Sequence, residues 1–148
     1  MKYSLRGFLM ALSKEERNEI IEQLKEQYPI LEQVKFNEFN INDKLQSNTE
    51  LKFYYQELYE QEKFIYEKLL EKLDIIKAQR FDFYKFEYDR VLTKTEIEQY
   101  YFPADKKIRK MNDIIKKQEI RVNFFSLCVK SIDKLYWNIK TYLDNEKL

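Results

Sequence analysis

Along the last third of the chain the apolar positions recur in alternating steps of three and four. They are Ile108, Met111, Ile115, Val122, Phe125, Val129, Ile132, Tyr136, Ile139 and Leu143, with one polar member, Gln118. Sustained over this length, the spacing predicts a heptad-patterned helix running from about Asp105 to the C-terminus. Some forty helical residues would measure about 60 Å. An apolar seam of that length needs a partner helix, from its own chain or from another copy. Gln118 reads either as a wetter point on the seam or as a register device.

A second long helix is predicted upstream. It starts near Asn48 or Thr49, either of which suits a cap. Leu51, Tyr55, Leu58, Ile65, Leu69, Leu73 and Ile76 follow at near-helical intervals, and the pattern extends through Phe83 to about Tyr88. The first forty residues read as shorter elements. Ser13 and Glu16 fit a capping box, ahead of Ile20, Ile21, Leu24 and Tyr28 at helical spacing. Pro29 then ends or bends that helix, because it excludes Tyr28 from the α region. The run FNEFNIND at 36–43 is Asn-rich and loop-like. Thr93 and Glu96 form another capping box, opening a short helix KTEIEQYYF that stops at Pro103. The expected fold is therefore all-α: a long helical hairpin with short N-terminal helices, whose heptad-patterned C-terminal helix drives self-association.

Composition supports this and excludes other classes. One Gly and two Pro among 148 residues leave few turns for a many-stranded sheet. Charged residues make up 36 %, as expected of helices with wet faces. No apolar run is long enough to span a membrane, and the opening MKYSLRGFLMALSKEE, broken by Arg6, reads poorly as a secretory signal. The single cysteine, Cys128, is read as packing and gives no intrachain disulfide. With no His and no Gly-rich phosphate loop, the usual zinc sites, general base and nucleotide cradle are missing. Neither an enzyme nor a bound cofactor is expected. The charge is uneven: residues 1–74 carry 11 basic and 15 acidic side chains, a net −4, and residues 75–148 carry 16 and 11, a net +5. That asymmetry suggests an anionic partner for the second half.

The stretch KAQRFDFYKFEYDR at 77–90 sharpens the suggestion, since five of its fourteen residues are aromatic and four basic. On a helix Lys77, Arg80 and Tyr84 share one face, and Lys85 lies in the same run. Cations that track phosphates, beside rings that stack on any base, are what a single-strand binder needs. Lys106, Lys110, Lys117 and Arg121 form a second stripe, which reads either as a further phosphate track or as a solvated helix face. Trp137, beside Tyr136, reads as an intersubunit anchor rather than a base-stacking platform.

Three runs carry a resemblance to a known family: AQRFDFY, then YDRVLTKTEIEQYYFPADKKIRKMN, then FFSLCVKSIDKLYWNIKTYL. With Arg80 to Tyr84, the Ala104–Asp105–Lys106 turn, Phe125 with Cys128, and Ile139–Lys140, the chain resembles the phage recombination mediator UvsY family over roughly residues 41–144. Lys-Leu-Gln at 44–46 adds to the likeness. The chain departs from the family pattern at Ala78, near which the second family cation aligns, and at Leu135–Tyr136–Trp137, where the family often has Arg-Gly-Phe. The resemblance implies a helical domain over 41–148 with residues 1–40 as an N-terminal helical extension. It implies a homo-oligomeric, heptamer-like ring that binds single-stranded DNA. Such a ring helps a RecA-like phage recombinase load onto DNA covered by the phage single-strand-binding protein, in the host cytoplasm and without a membrane. By position it implies that Arg80 contacts DNA, with Lys77 one residue from the place of the second family cation and Tyr84 and Lys85 beside them. Val122, Phe125, Val129, Ile132, Tyr136, Trp137, Ile139 and Leu143 are the expected oligomer interface. The alternative is a coiled-coil adaptor or scaffold with no affinity for DNA.

Overall fold

The computed structural model describes residues 12–146; the expectation for the first eleven residues lies outside them. Among the described residues there is no strand, and no helix is long and apolar enough to cross a membrane. Helix α1 spans Lys14–Gln27, α2 Ile30–Gln33 and α3 Ile41–Asp82. A wide π-helical turn, Phe83–Glu87, ends α3. The connector then holds α4 (Lys94–Glu96), a second π-helical turn (Ile97–Tyr101) and α5 (Phe102–Ala104), before α6 (Lys106–Glu146).

The local signals account for most of these boundaries. Ser13 Oγ accepts from Glu16 N–H at 3.1 Å and opens α1. Both halves of the Thr93–Glu96 capping box form, each about one normal hydrogen bond long. Pro29 separates α1 from α2. The start of α3 differs from the expectation by seven residues. Asn37 and Asn40 bond each other's backbone: Asn37 Oδ1 accepts from Phe39 and Asn40 N–H, and Asn40 Oδ1 accepts from Asn37 N–H. This closed asparagine turn releases the helix at Ile41, and the first intrahelical bond, Lys44 N–H to Asn40 O, is 3.0 Å. Ile41 and Leu45, one turn apart, then find apolar partners, which overrides the polar residues between them. Past Pro103 the chain stays helical to Ala104. Proline needs no N–H donor in the first turn of a short helix, and the widened turn before it relaxes the register.

The chain divides into two compact units, each built from parts of both long helices. One unit comprises Asn18–Lys63 with residues from Ile120 onward. In it Leu24 and Ile30 meet Tyr55 of α3 and Phe124, Phe125, Cys128 and Ile132 of α6. Tyr28 stands edge-on to Phe125 at 4.9 Å between centroids. The Tyr55 hydroxyl donates to Gln33 Oε1, and burial pushes its pKa far up. A smaller cluster joins Ile41 to Leu135 and Ile139. Two ion pairs lace the same helices: Lys52 with Asp133 at 2.8 Å, and Arg121 with Glu62 through two bonds of 3.1 and 2.8 Å.

The other unit comprises Phe64–Glu119 with the described residues up to Arg17. There Leu73 packs with Ile108 and Ile115 across an antiparallel helix pair. A second cluster, Tyr84, Leu92 and Ile97, fills the connector that joins the two helices.

These clusters give the α6 seam its partner. Ile108, Ile115, Gln118, Phe125, Ile132 and Ile139 are buried within the chain itself. In each unit the seam packs on α3, and in the first also on α1. Phe125, Ile132 and Ile139, expected at an interface between copies, are 0 % exposed, so a sister chain does not reach them in this fold. Val122, Val129 and Leu143 are half-buried, and of the eight only Tyr136 and Trp137 stand exposed, at 43 % and 59 %.

Candidate functional site

Two of the functional residues expected in 77–90, Arg80 and Tyr84, converge on a residue not singled out among them, Asp105. It sits in extended backbone between α5 and α6, and its side chain is 2 % exposed. Oδ1 accepts from the backbone N–H of Lys107 at 2.9 Å and of Ile108 at 3.1 Å, capping α6. Oδ2 accepts from Arg80 Nε at 2.7 Å and from the Tyr84 hydroxyl at 2.6 Å. One carboxylate thus ties the end of α3 to the start of α6. Burial alone would raise its pKa, but the hydrogen bonds from Tyr84, Arg80 and Ile108 N–H outweigh it, and the pKa lies below the usual aspartate value. The same bond to Asp105 raises the pKa of Arg80. Tyr84 is raised by burial and then by its bond to Asp105.

Arg80 is held on two sides. Asp105 takes Nε, and the guanidinium lies 4.3 Å from the Phe83 ring centroid and 5.2 Å from that of Tyr84. Nε makes the bond to Asp105, and the side chain is 20 % exposed. The bond to Asp105 and the two rings hold the guanidinium in a fixed orientation. A planar fork held in this way suits a phosphate or carboxylate oxygen pair. The chain then runs from Asp105 directly into Lys106, Lys107, Arg109 and Lys110, four cations in the first five residues of α6 with no acidic side chain in its first turn. The Asp105 carboxylate at the positive end of the α6 dipole offsets part of this cationic charge.

The other expected site residues fall into distinct groups. Tyr84 is 8 % exposed, and its ring packs against Phe83, Tyr88 and Tyr101, so it offers no open face for a base. Lys85 Nζ donates to Leu92 O at 3.0 Å and closes the connector. Lys117 pairs with Asp113 at 3.2 Å on an exposed face. Arg121 is engaged by Glu62 through both Nε and Nη2. Lys77 lies one turn before Arg80, and Lys106 and Lys110 are exposed; none of the three makes an ion pair among the described residues. The structure therefore groups Arg80 with the first turn of α6, and puts Arg121 in the other unit. Lys107 and Asp105 were readable in the run ADKKIRK, but a lone aspartate before cations gives no sign that it will be buried. In that other unit Trp137 carries Lys140 Nζ 5.0 Å from its centroid and, with Phe53, lines a groove of about 550 Å³.

The chain matches no protein-family model, no curated protein and no solved structure.

Proposed function

We propose that this protein binds single-stranded DNA without catalysis and acts as a recombination mediator. In that role it helps a RecA-like phage recombinase load onto strands covered by single-strand-binding protein. The loading role rests on the resemblance of residues 41–144 to the UvsY family. DNA binding is supported by one arrangement: Arg80, oriented by Asp105 and Phe83, lies beside the basic first turn of α6. Lys77, Lys106, Lys107 and Lys110 complete the phosphate track. Each subunit contributes few cations, so binding depends on several copies in a homo-oligomeric ring, where every contact after the first is intramolecular.

Fluorescence anisotropy with a labelled oligonucleotide tests this. Binding should weaken with salt with a slope of about −0.7 per phosphate contacted. Arg80→Ala should lower affinity about tenfold or more while the oligomer persists. Absent or salt-insensitive binding overturns the reading in favour of the second one, a helical adaptor. That alternative is favoured by the engagement of Tyr84, Lys85 and Arg121 inside the fold.

A further inference from the structure

In the unit that contains Asn18–Lys63 and the residues from Ile120 onward, three large rings stand outside the core. Phe53 of α3 is 71 % exposed, and it shares the groove of about 550 Å³ with Tyr136 and Trp137 of α6. Along α3 the groove runs from Asn48 to Gln56, about 12 Å or two helical turns. The Lys52–Asp133 ion pair lies within it and is neutral as a unit. The two walls differ in charge. On α6, Trp137 is bracketed by Lys130, Lys134 and Lys140, all exposed and none in an ion pair among the described residues. On α3 the wall carries the uncharged Thr49 and Gln56. At 3.6 residues per turn, Glu50 and Glu57 fall on the side of Phe53 turned away from Lys52. Glu60, a turn past Gln56, accepts from Gln56 Nε2 at 3.0 Å.

We infer that this groove binds a short amphipathic helix of a partner protein, apolar on its buried side and acidic along the edge that meets α6. Two turns is the span over which an incoming helix presents anchors at i, i+3 or i+4, and i+7. Large apolar side chains seated among Phe53, Tyr136 and Trp137 supply the burial. Carboxylates on the flank meet Lys130, Lys134 and Lys140, which select the partner and set which way it faces. A nucleic-acid strand suits the groove less. Lys140 Nζ already stands 5.0 Å from the Trp137 centroid, so a base does not stack on that face, and the Asp133 carboxylate lies where phosphates would pass. The inference does not rest on DNA binding, since Arg80 and the start of α6 belong to the other unit.

Trp137 is the only tryptophan in the chain, so its emission reports on this groove. The probe is a synthetic, tryptophan-free helical peptide with leucine at i, i+4 and i+7 and glutamate along one flank. Added to the full chain, it should shift Trp137 emission to the blue, and a labelled version should gain anisotropy with half-saturation at about 10–100 μM. The same peptide with lysine in place of glutamate should bind about tenfold more weakly, and so should the glutamate peptide to Lys130→Glu with Lys134→Glu. Phe53→Ala should also lose about tenfold. These side chains are exposed, so the variants should keep the wild-type circular dichroism and urea midpoint. Arg80→Ala should bind the peptide as the wild type does. No saturation by about 1 mM, equal binding of the two peptides, or indifference to the lysine and Phe53 variants overturns the inference. An oligonucleotide that displaces the peptide assigns the groove to nucleic acid and overturns it too. So does emission that shifts with the protein's own concentration and shuts the peptide out, which assigns the groove to a sister copy. Peptide binding without oligonucleotide binding sinks the mediator reading alone, and the reverse sinks this inference alone.

Discussion

Two arginine–carboxylate pairs, one in each unit, use the same chemistry to different ends. Arg121 meets Glu62 fork to fork: two guanidinium nitrogens bond two carboxylate oxygens at 3.1 and 2.8 Å. Arg80 gives Asp105 a single nitrogen, at 2.7 Å, and Asp105 divides its remaining capacity among Tyr84 and two backbone N–H groups. The first pair is directed at its partner and fastens one helix to another. The second holds the guanidinium by one nitrogen, against the Phe83 and Tyr84 rings. A basic residue is thus classified by how many of its donors the fold consumes, more than by its charge. Both arginines belong to basic stretches in the sequence, and only the carboxylates brought to them from far along the chain separate their roles.

The largest expected effect comes from removing the carboxylate that does several things at once. Asp105→Ala deletes the cap of α6 and strands a buried phenol and a partly buried guanidinium. Urea unfolding should show a loss of about 3–5 kcal/mol. A loss below about 1 kcal/mol would mean that the corner is held by Tyr84, Leu92 and Ile97 packing instead.

Next come the two arginines themselves, which should separate stability from binding. Arg121→Ala leaves Glu62, 12 % exposed, without its fork, and should cost about 2–3 kcal/mol in urea while oligonucleotide affinity stays within about twofold. Arg80→Ala leaves Asp105 with three of its four bonds. It should cost about 1–2 kcal/mol and carry the roughly tenfold loss in affinity. Equal affinity losses in the two variants would erase the distinction between them. Arg80→Lys sharpens it further. Lysine keeps the charge but cannot bond Asp105 and present a planar edge together, so binding should fall between wild type and Arg80→Ala.

Much of the helical frame was readable from local pattern. Ser13–Glu16 and Thr93–Glu96 are contiguous signals: the second forms both bonds of its box, and the first forms the bond from Glu16 N–H to Ser13 Oγ. The α6 seam was readable because its repeat is internal to one helix. Its partner was not, because periodicity states that a face must be covered without naming the cover. Phe125 and Ile139 read equally well as an interface between copies and as a core shared with α1 and α3. The start of α3 was hidden by the reciprocal asparagine bonds, which look like ordinary loop composition. Tyr84 illustrates the limit at the site. Four residues from an arginine, among other rings, it reads as a stacking platform, and only the return of the chain to Asp105 turns it inward.

The smallest effect tests the corner through pH. An unperturbed aspartate titrates near about 3.9. In the folded chain Asp105 lies below its ordinary value, because bonds from Tyr84, Arg80 and Ile108 N–H to the charged form outweigh the cost of burial. As pH falls, the unfolded chain therefore takes up this proton before the folded chain does. Stability then rises with pH across the interval between the two values. The contribution is complete above the unfolded value and is lost as pH drops through the folded one. Arg80 stays charged throughout, so the loss reports on the carboxylate. Asp105→Asn supplies the control, since asparagine still caps a helix but does not titrate. Between pH 6 and pH 3 the urea midpoint of the wild type should fall more steeply than that of Asp105→Asn. Parallel profiles would show that Asp105 has the same proton affinity folded and unfolded, and that the bond to Arg80 does not orient the guanidinium through the charge on its partner.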